Sequence, residues 1–135
     1  MADDPLIQAL VQVHGAGISG LVPARDIANI YSVERYAGTA YTIRPRSRGL
    51  MLLCTSSSPV SILVPPASST PFYAGPVATI IQLGSGQVSF AGIGGVMLND
   101  SPETWNLAKQ FASATLIATD VADEWVLAGY LEAAA

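Results

Sequence analysis

Charge is what this sequence has least of. Charged side chains make up 12% of its 135 residues, against about 25% in an ordinary soluble domain. Lysine occurs once, at Lys109, and the formal net charge is -4, so the basic footprint of a nucleic-acid binder is missing. Histidine also occurs once, at His14, which leaves any histidine-based acid, base or metal site dependent on carboxylates or a thiol for company. The single cysteine, Cys54, has no partner for an internal disulfide. It lies in the apolar run Leu50-Met51-Leu52-Leu53-Cys54 and reads as a small buried hydrophobe. Long hydrophobic runs are absent too. A spanning helix needs about 20 consecutive apolar residues, and the longest stretches, Leu50 to Cys54 and Ile62 to Val64, fall far short, so no membrane partner is expected. Met1-Ala2-Asp3-Asp4 is acidic where a signal peptide is basic, and the mature chain is expected to start near Met1.

What is present is apolar. Half of the residues are hydrophobic and the mean hydropathy is +0.42, which a chain of one-domain size must accommodate on its surface or in an interface. Residues 1–35 differ from the rest. Asp4-Pro5 is a helix start, and Leu6, Ile7, Leu10 and Val11 share one helical face, which predicts a short helix from Pro5 to about Val13. Glycines at 15, 17 and 20 and then Pro23 break regular structure, and Ile18, Leu21, Ile27, Ile30 and Tyr31 follow without a clean period. Such a segment has little to bury against itself, and residues 1–35 read as an attachment arm. Residues 36–135 read as a β module. Tyr41–Ile43, Leu50–Thr55, Val60–Val64, Ala78–Leu83, Gln87–Ala91, Val96–Leu98, Ser113–Thr119 and Glu124–Ala128 are short, rich in β-formers, and bounded by turn residues. Eight such strands predict an all-β fold, a compact antiparallel β-sandwich or barrel, with Cys54, Ile62, Val64, Ile81, Val88, Leu116, Trp125 and Leu127 in its core. Pro65 to Pro71 is a loop, Gly84-Ser85-Gly86 a hairpin signal, and the stretch from Gly95 to Phe111 lacks a pattern apart from a Ser101-capped turn at Pro102.

The polar clusters do not assemble into chemistry. Gly15-Ala16-Gly17-Ile18-Ser19-Gly20 has the form of a dinucleotide fingerprint, but Pro23 sits where the required helix would turn and no alternation of helix and strand follows. The carboxylate pairs Asp3-Asp4 and Asp123-Glu124, and Asp100 with Glu103, read as solvated turn residues, since general acid–base work needs two carboxylates facing one cleft. No Gly-x-Ser-x-Gly elbow occurs. No catalytic residue, cofactor site or metal site is therefore assigned. Arg44, Arg46 and Arg48 alternate along an extended segment, with their guanidinium groups on one side, and read as a subunit or receptor contact. Trp105, in the patternless stretch, reads as a surface or interface aromatic.

From about Val60 to Leu131 the chain resembles a β module found in tailed-bacteriophage virion proteins of the capsid-decoration, head-fibre and tail-fibre type. The resemblance rests on Val60-Ser61-Ile62-Leu63-Val64-Pro65, Phe72 with Gly75, Ala78-Thr79-Ile80-Ile81-Gln82, Gly84-Ser85-Gly86-Gln87-Val88-Ser89-Phe90, Gly95-Val96-Met97-Leu98, Ala112-Ser113-Ala114-Thr115-Leu116-Ile117 and Asp123-Glu124-Trp125-Val126-Leu127-Ala128-Gly129. It does not cover residues 1–35, and the sequence departs from the family between Asn99 and Gln110. What the resemblance implies is a non-enzymatic virion structural protein, assembled in the host cytoplasm, homotrimeric through its β module, with no cofactor. Its expected partners are itself and the major capsid protein or another virion protein. A capsid decoration protein held by the apolar arm is the reading preferred for this sequence. The alternative is a tail-fibre or baseplate adhesion module that recognises a host-surface receptor through the loops around Pro65–Pro71 and Trp105.

Overall fold

The computed structural model describes residues 31–46 and 49–133. The expected helix at 5–13 and the arm residues Leu6, Ile7, Leu10, Val11, Ile18, Leu21, Ile27 and Ile30 lie outside them, as does Arg48. The described residues form an all-β, sandwich-like fold. Its strands are β1 (Tyr31–Tyr36), β2 (Ala40–Thr42), β3 (Gly49–Cys54), β4 (Val60–Val64), β5 (Gly75–Gln82), β6 (Val88–Gly92), β7 (Met97–Leu98), β8 (Trp105–Leu107), β9 (Ser113–Ala118), β10 (Glu124–Gly129) and β11 (Leu131–Ala133). A six-stranded sheet has the order β1-β3-β5-β9-β10-β7, and a five-stranded sheet the order β11-β8-β6-β4-β2.

The order exposes a regularity that local sequence signals do not carry. From β1 to β6 each successive strand joins the opposite sheet, so neighbours within a sheet are two strands apart in the chain. A strand that crosses over and returns runs in its original direction, and β2–β4, β4–β6 and β3–β5 accordingly pair in parallel. Parallel pairing needs a crossover, usually a helix; here a strand of the facing sheet serves. The expectation of an antiparallel arrangement holds for β5–β9, β9–β10, β6–β8 and β8–β11 and is corrected for those three pairs and for β7–β10, which is parallel as well. Gly84-Ser85-Gly86 is likewise not a hairpin turn, because it carries the chain from β5 in one sheet to β6 in the other. This corner stacks on the previous one. Leu83 and Gly84 donate to the Cys54 carbonyl at 2.8 and 2.9 Å, and Gly86 donates to Ser56 at 3.0 Å. A side chain at Gly84 or Gly86 would collide with the backbone of Ser56 or Ser58, so close approach is what these glycines serve.

Strand alternation builds the core. Leu50, Leu52 and Cys54 of β3 face inward with Ala78 and Ile80 of β5 and Leu116 of β9, and they meet Val60, Ile62 and Val64 of β4 and Val88 and Phe90 of β6 from the other sheet. Each large side chain so buried contributes roughly 1.5–3 kcal/mol. Of the predicted core positions, Cys54, Ile62, Val64, Val88, Leu116, Trp125 and Leu127 are buried. Ile81 is the exception: it alternates with inward Ile80 and Gln82 and faces outward, half-buried. Among the described residues Gln82 is the buried polar one, 3% exposed, and its Oε1 accepts the Val88 N–H at 3.0 Å across the sandwich.

Two boundaries also move. Tyr31 to Arg35, assigned to the arm from sequence, form most of β1 at the edge of the larger sheet. Within the stretch that lacked a pattern, β8 inserts Trp105 to Leu107 between β6 and β11. Asn99 and Asp100 both have positive φ, 54° and 61°, in a tight reversal closed by reciprocal Leu98–Ser101 backbone bonds of 3.0 and 3.1 Å. Asn is among the few side chains that adopt this conformation at low cost. The Asn99 side chain then accepts the Leu127 N–H at 2.8 Å and donates to the Leu127 carbonyl at 2.9 Å, occupying β10 where the two-residue β7 stops.

Candidate functional site

Two features of the module have more exposed chemistry than the fold requires, and both lie on the six-stranded sheet. The first is its outward face. In β3, β5 and β9 the outward positions include Met51, Leu53, Ile81 and Ile117, and on the flanking strands Val33 and Val126, 64% and 41% exposed. Thr79 and Thr115 sit opposite one another in the centre with their hydroxyls 2.9 Å apart, one donating to the other. Among the described residues, no ionisable side chain occupies the outward positions of β3, β5 or β9; Arg35 and Glu124 lie on β1 and β10. Parallel strands normally have both faces covered, which is why β3 is apolar at successive positions rather than at every second one. The sandwich covers only one of these faces.

The second feature is the end of this sheet where β3, β5 and β10 begin and β9 stops. The loop from Pro65 to Ala74 folds across it. Asp123, with φ 63°, accepts the Ala67 N–H on Oδ1 at 2.7 Å, and the Phe72 ring meets Trp125 edge-on with centroids 4.9 Å apart. The turn beneath is held by Thr119, whose hydroxyl donates to the Glu124 carbonyl at 3.0 Å and accepts the Val121 N–H at 3.1 Å. Between loop and turn is an open cavity of about 390 Å³, walled by Phe72, Tyr73 and Trp125 and by the three acids Asp120, Asp123 and Glu124. Tyr73 stands out from its rim, 96% exposed.

On the other side of the Phe72–Ala74 turn is a smaller cavity of about 210 Å³, lined by Pro45, Arg46, Gly49, Pro76 and Val77. Its charged lining residue is Arg46. Arg46 donates to Tyr41 at 3.2 Å and pairs with Glu34 at 3.5 Å, while Arg44 is exposed. Burial, with Glu34 second, raises the Tyr41 hydroxyl above its usual pKa, so it stays a neutral donor to Glu34 at 3.4 Å.

Several positions singled out from sequence fall elsewhere. Trp105 is half-buried: it packs against the core from β8 and donates Nε1–H to the Leu98 carbonyl at 3.3 Å. Asp123 is not a solvated turn residue, because its carboxylate pins the Pro65–Pro71 loop. Its neighbour Glu124 is exposed as expected. Asp100 and Glu103 stay on an exposed turn in which Ser101 Oγ accepts the Glu103 N–H at 3.1 Å, the capping expected there. Cys54 is buried as expected, and burial lifts its thiol to about 11. Tyr73 was not singled out. Its loop carried a resemblance at Phe72, but nothing local distinguishes an aromatic that folds in from one that points out. Among the described residues, no group of three or more His, Cys, Asp or Glu is arranged to hold a metal ion, and no helix is long and apolar enough to cross a membrane.

No protein-family model matches the chain, and no curated protein sequence does.

Proposed function

We propose that the protein is a non-enzymatic structural component of a tailed-phage virion, a capsid decoration protein that associates with itself through the β module and with the capsid through its N-terminal segment. The observation that carries this reading is the apolar outward face of β3, β5 and β9, a surface suited to burial against another protein and without the charge or relief of a catalytic cleft. Low charge over the whole chain supports it. Self-association as a homotrimer follows the resemblance over Val60 to Leu131. Residues 1–30 supply the apolar side chains, Leu6, Ile7, Leu10 and Val11 foremost, that the reading assigns to the major capsid protein or another virion protein. Neither nucleic acid nor membrane is a partner in it.

A second reading, an adhesion module of a tail fibre or baseplate, is favoured by one observation: the cavity rimmed by Tyr73, in which an aromatic surface stands beside carboxylates, as in sites for host-surface glycans. Trp105 has no part in it. Fluorescently labelled full-length protein, added in parallel to capsid shells lacking it and to host cells, separates the two. The decoration reading expects coated shells and unstained cells. Stained cells with bare shells overturn it.

A further inference from the structure

The two cavities beside Tyr73 lie at the same end of the same sheet, one walled by three acids and the other with Arg46 in its lining. On one side Asp120 and Glu124 are exposed carboxylates with no hydrogen-bond or ion-pair partner of their own among the described residues, while Asp123 is committed to the loop through Ala67. On the other side Arg46, which lines the smaller cavity, already pairs with Glu34, while Arg44, two residues before it in the chain, is exposed and has no hydrogen-bond or ion-pair partner among the described residues. Solvated as they are, these exposed charges cost little where they stand, and they are available to a partner of opposite sign. They are also complementary to each other, and the apolar sheet face adjoins both.

We propose that a second copy of this chain docks on this surface, with Arg44 of one copy seated in the carboxylate-walled cavity of the other against Asp120 and Glu124, and with the adjoining outward sheet face covered in the same contact. A planar guanidinium suits this site. It can meet a carboxylate with two parallel N–H bonds and can stack on an aromatic ring such as Tyr73. The charges fix the register of the contact, and the apolar face supplies its area. This deepens the self-association proposed above and rests on it.

The test is the association state of the full chain, measured by sedimentation velocity over a concentration series. Arg44→Glu alone, and Asp120→Lys with Glu124→Lys, each set like charges against one another and are expected to weaken self-association by about 10- to 100-fold. All three residues are exposed, so circular dichroism and the melting temperature should match the parent. The triple variant, with charges exchanged across the contact, should associate again. Association that survives both single-side reversals, or a triple variant that stays dissociated, overturns the contact while leaving self-association standing. A parent chain that is monomeric throughout overturns both, and shell binding measured on the same samples reports separately on the decoration reading.

Discussion

Replacing Asp123 in three ways separates the two jobs it performs. Its carboxylate accepts the Ala67 N–H at 2.7 Å, and its backbone sits at φ 63°. A hydrogen bond to a charged acceptor contributes about 1.5–3 kcal/mol and a neutral one about 0.5–1.5. Asp123→Asn keeps a side-chain oxygen and tolerates the left-handed backbone, so it should cost about 1 kcal/mol. Asp123→Gly leaves the Ala67 N–H without its acceptor, about 2–3 kcal/mol, but recovers roughly 1 kcal/mol by taking the Cβ out of a left-handed backbone, a net loss of about 1–2 kcal/mol. Asp123→Ala loses the same bond and keeps the Cβ that the parent already carries in that conformation, without the polar side chain that eases it, for a total of about 3 kcal/mol. Equilibrium urea unfolding, followed by tryptophan fluorescence, reads all three, with Trp125 against Phe72 reporting from the loop and Trp105 from β8. The expected order of stability is Asp, Asn, Gly, Ala. Asn as damaging as Ala would mean that the bond to Ala67 does not hold the loop, and Gly worse than Ala would refute the backbone part.

The buried thiol gives a pH dependence. Cys54 has its pKa raised from 9.0 to about 11 by burial, so between these values the unfolded chain releases a proton that the folded chain keeps. Stability is therefore undiminished below pH 9 and falls as pH rises towards 11, by roughly 3 kcal/mol in all; the difference in unfolding free energy between the parent and Cys54→Ala should shrink across that window, and a constant difference would count against it. Ile80 and Ile81 are adjacent but face opposite ways, so Ile80→Asp places a charge in the core and should abolish folding. Ile81→Lys should cost under about 1 kcal/mol yet weaken self-association in sedimentation. If both unfold the chain, the outward assignment of Ile81 is wrong. Deletion of residues 1–30 should keep the far-ultraviolet circular dichroism of the β module and lose shell binding, whereas deletion through 35 removes most of β1 and should lower the melting temperature; equal melting temperatures would deny β1 a structural part.

The eight strands read from the sequence all occur in the structure, because each has a run of β-formers bounded by residues that stop a strand. β1, β8 and β11 were missed for a common reason. Each borrows its regularity from a neighbour: β8 lies between β6 and β11, and its Trp105 is ordered by packing and by a bond to Leu98 rather than by any alternation of its own. Ile81 was misplaced because Ile80 and Ile81 are alike, and a strand with apolar residues on both faces does not say which face is inside. The candidate site was legible only in its parts. Arg44 and Arg46 stood out by their spacing, but Asp123 and Tyr73 did not, since a carboxylate in a turn looks the same whether it meets water or the amide of Ala67, 56 residues away.

What the sequence by itself determined is the class of molecule: all-β, sparsely charged, with its thiol buried and apolar surface in excess. Composition and local pattern suffice for that, because the propensity to form a strand and the cost of exposing apolar surface act residue by residue. Only the tertiary structure decided which sheet each strand joins, which pairs run parallel, and that Arg46 and the carboxylates lie on either side of Tyr73. Those depend on contacts between residues far apart in the chain, such as Gly84 with Cys54 and Ala67 with Asp123, and no local pattern encodes them.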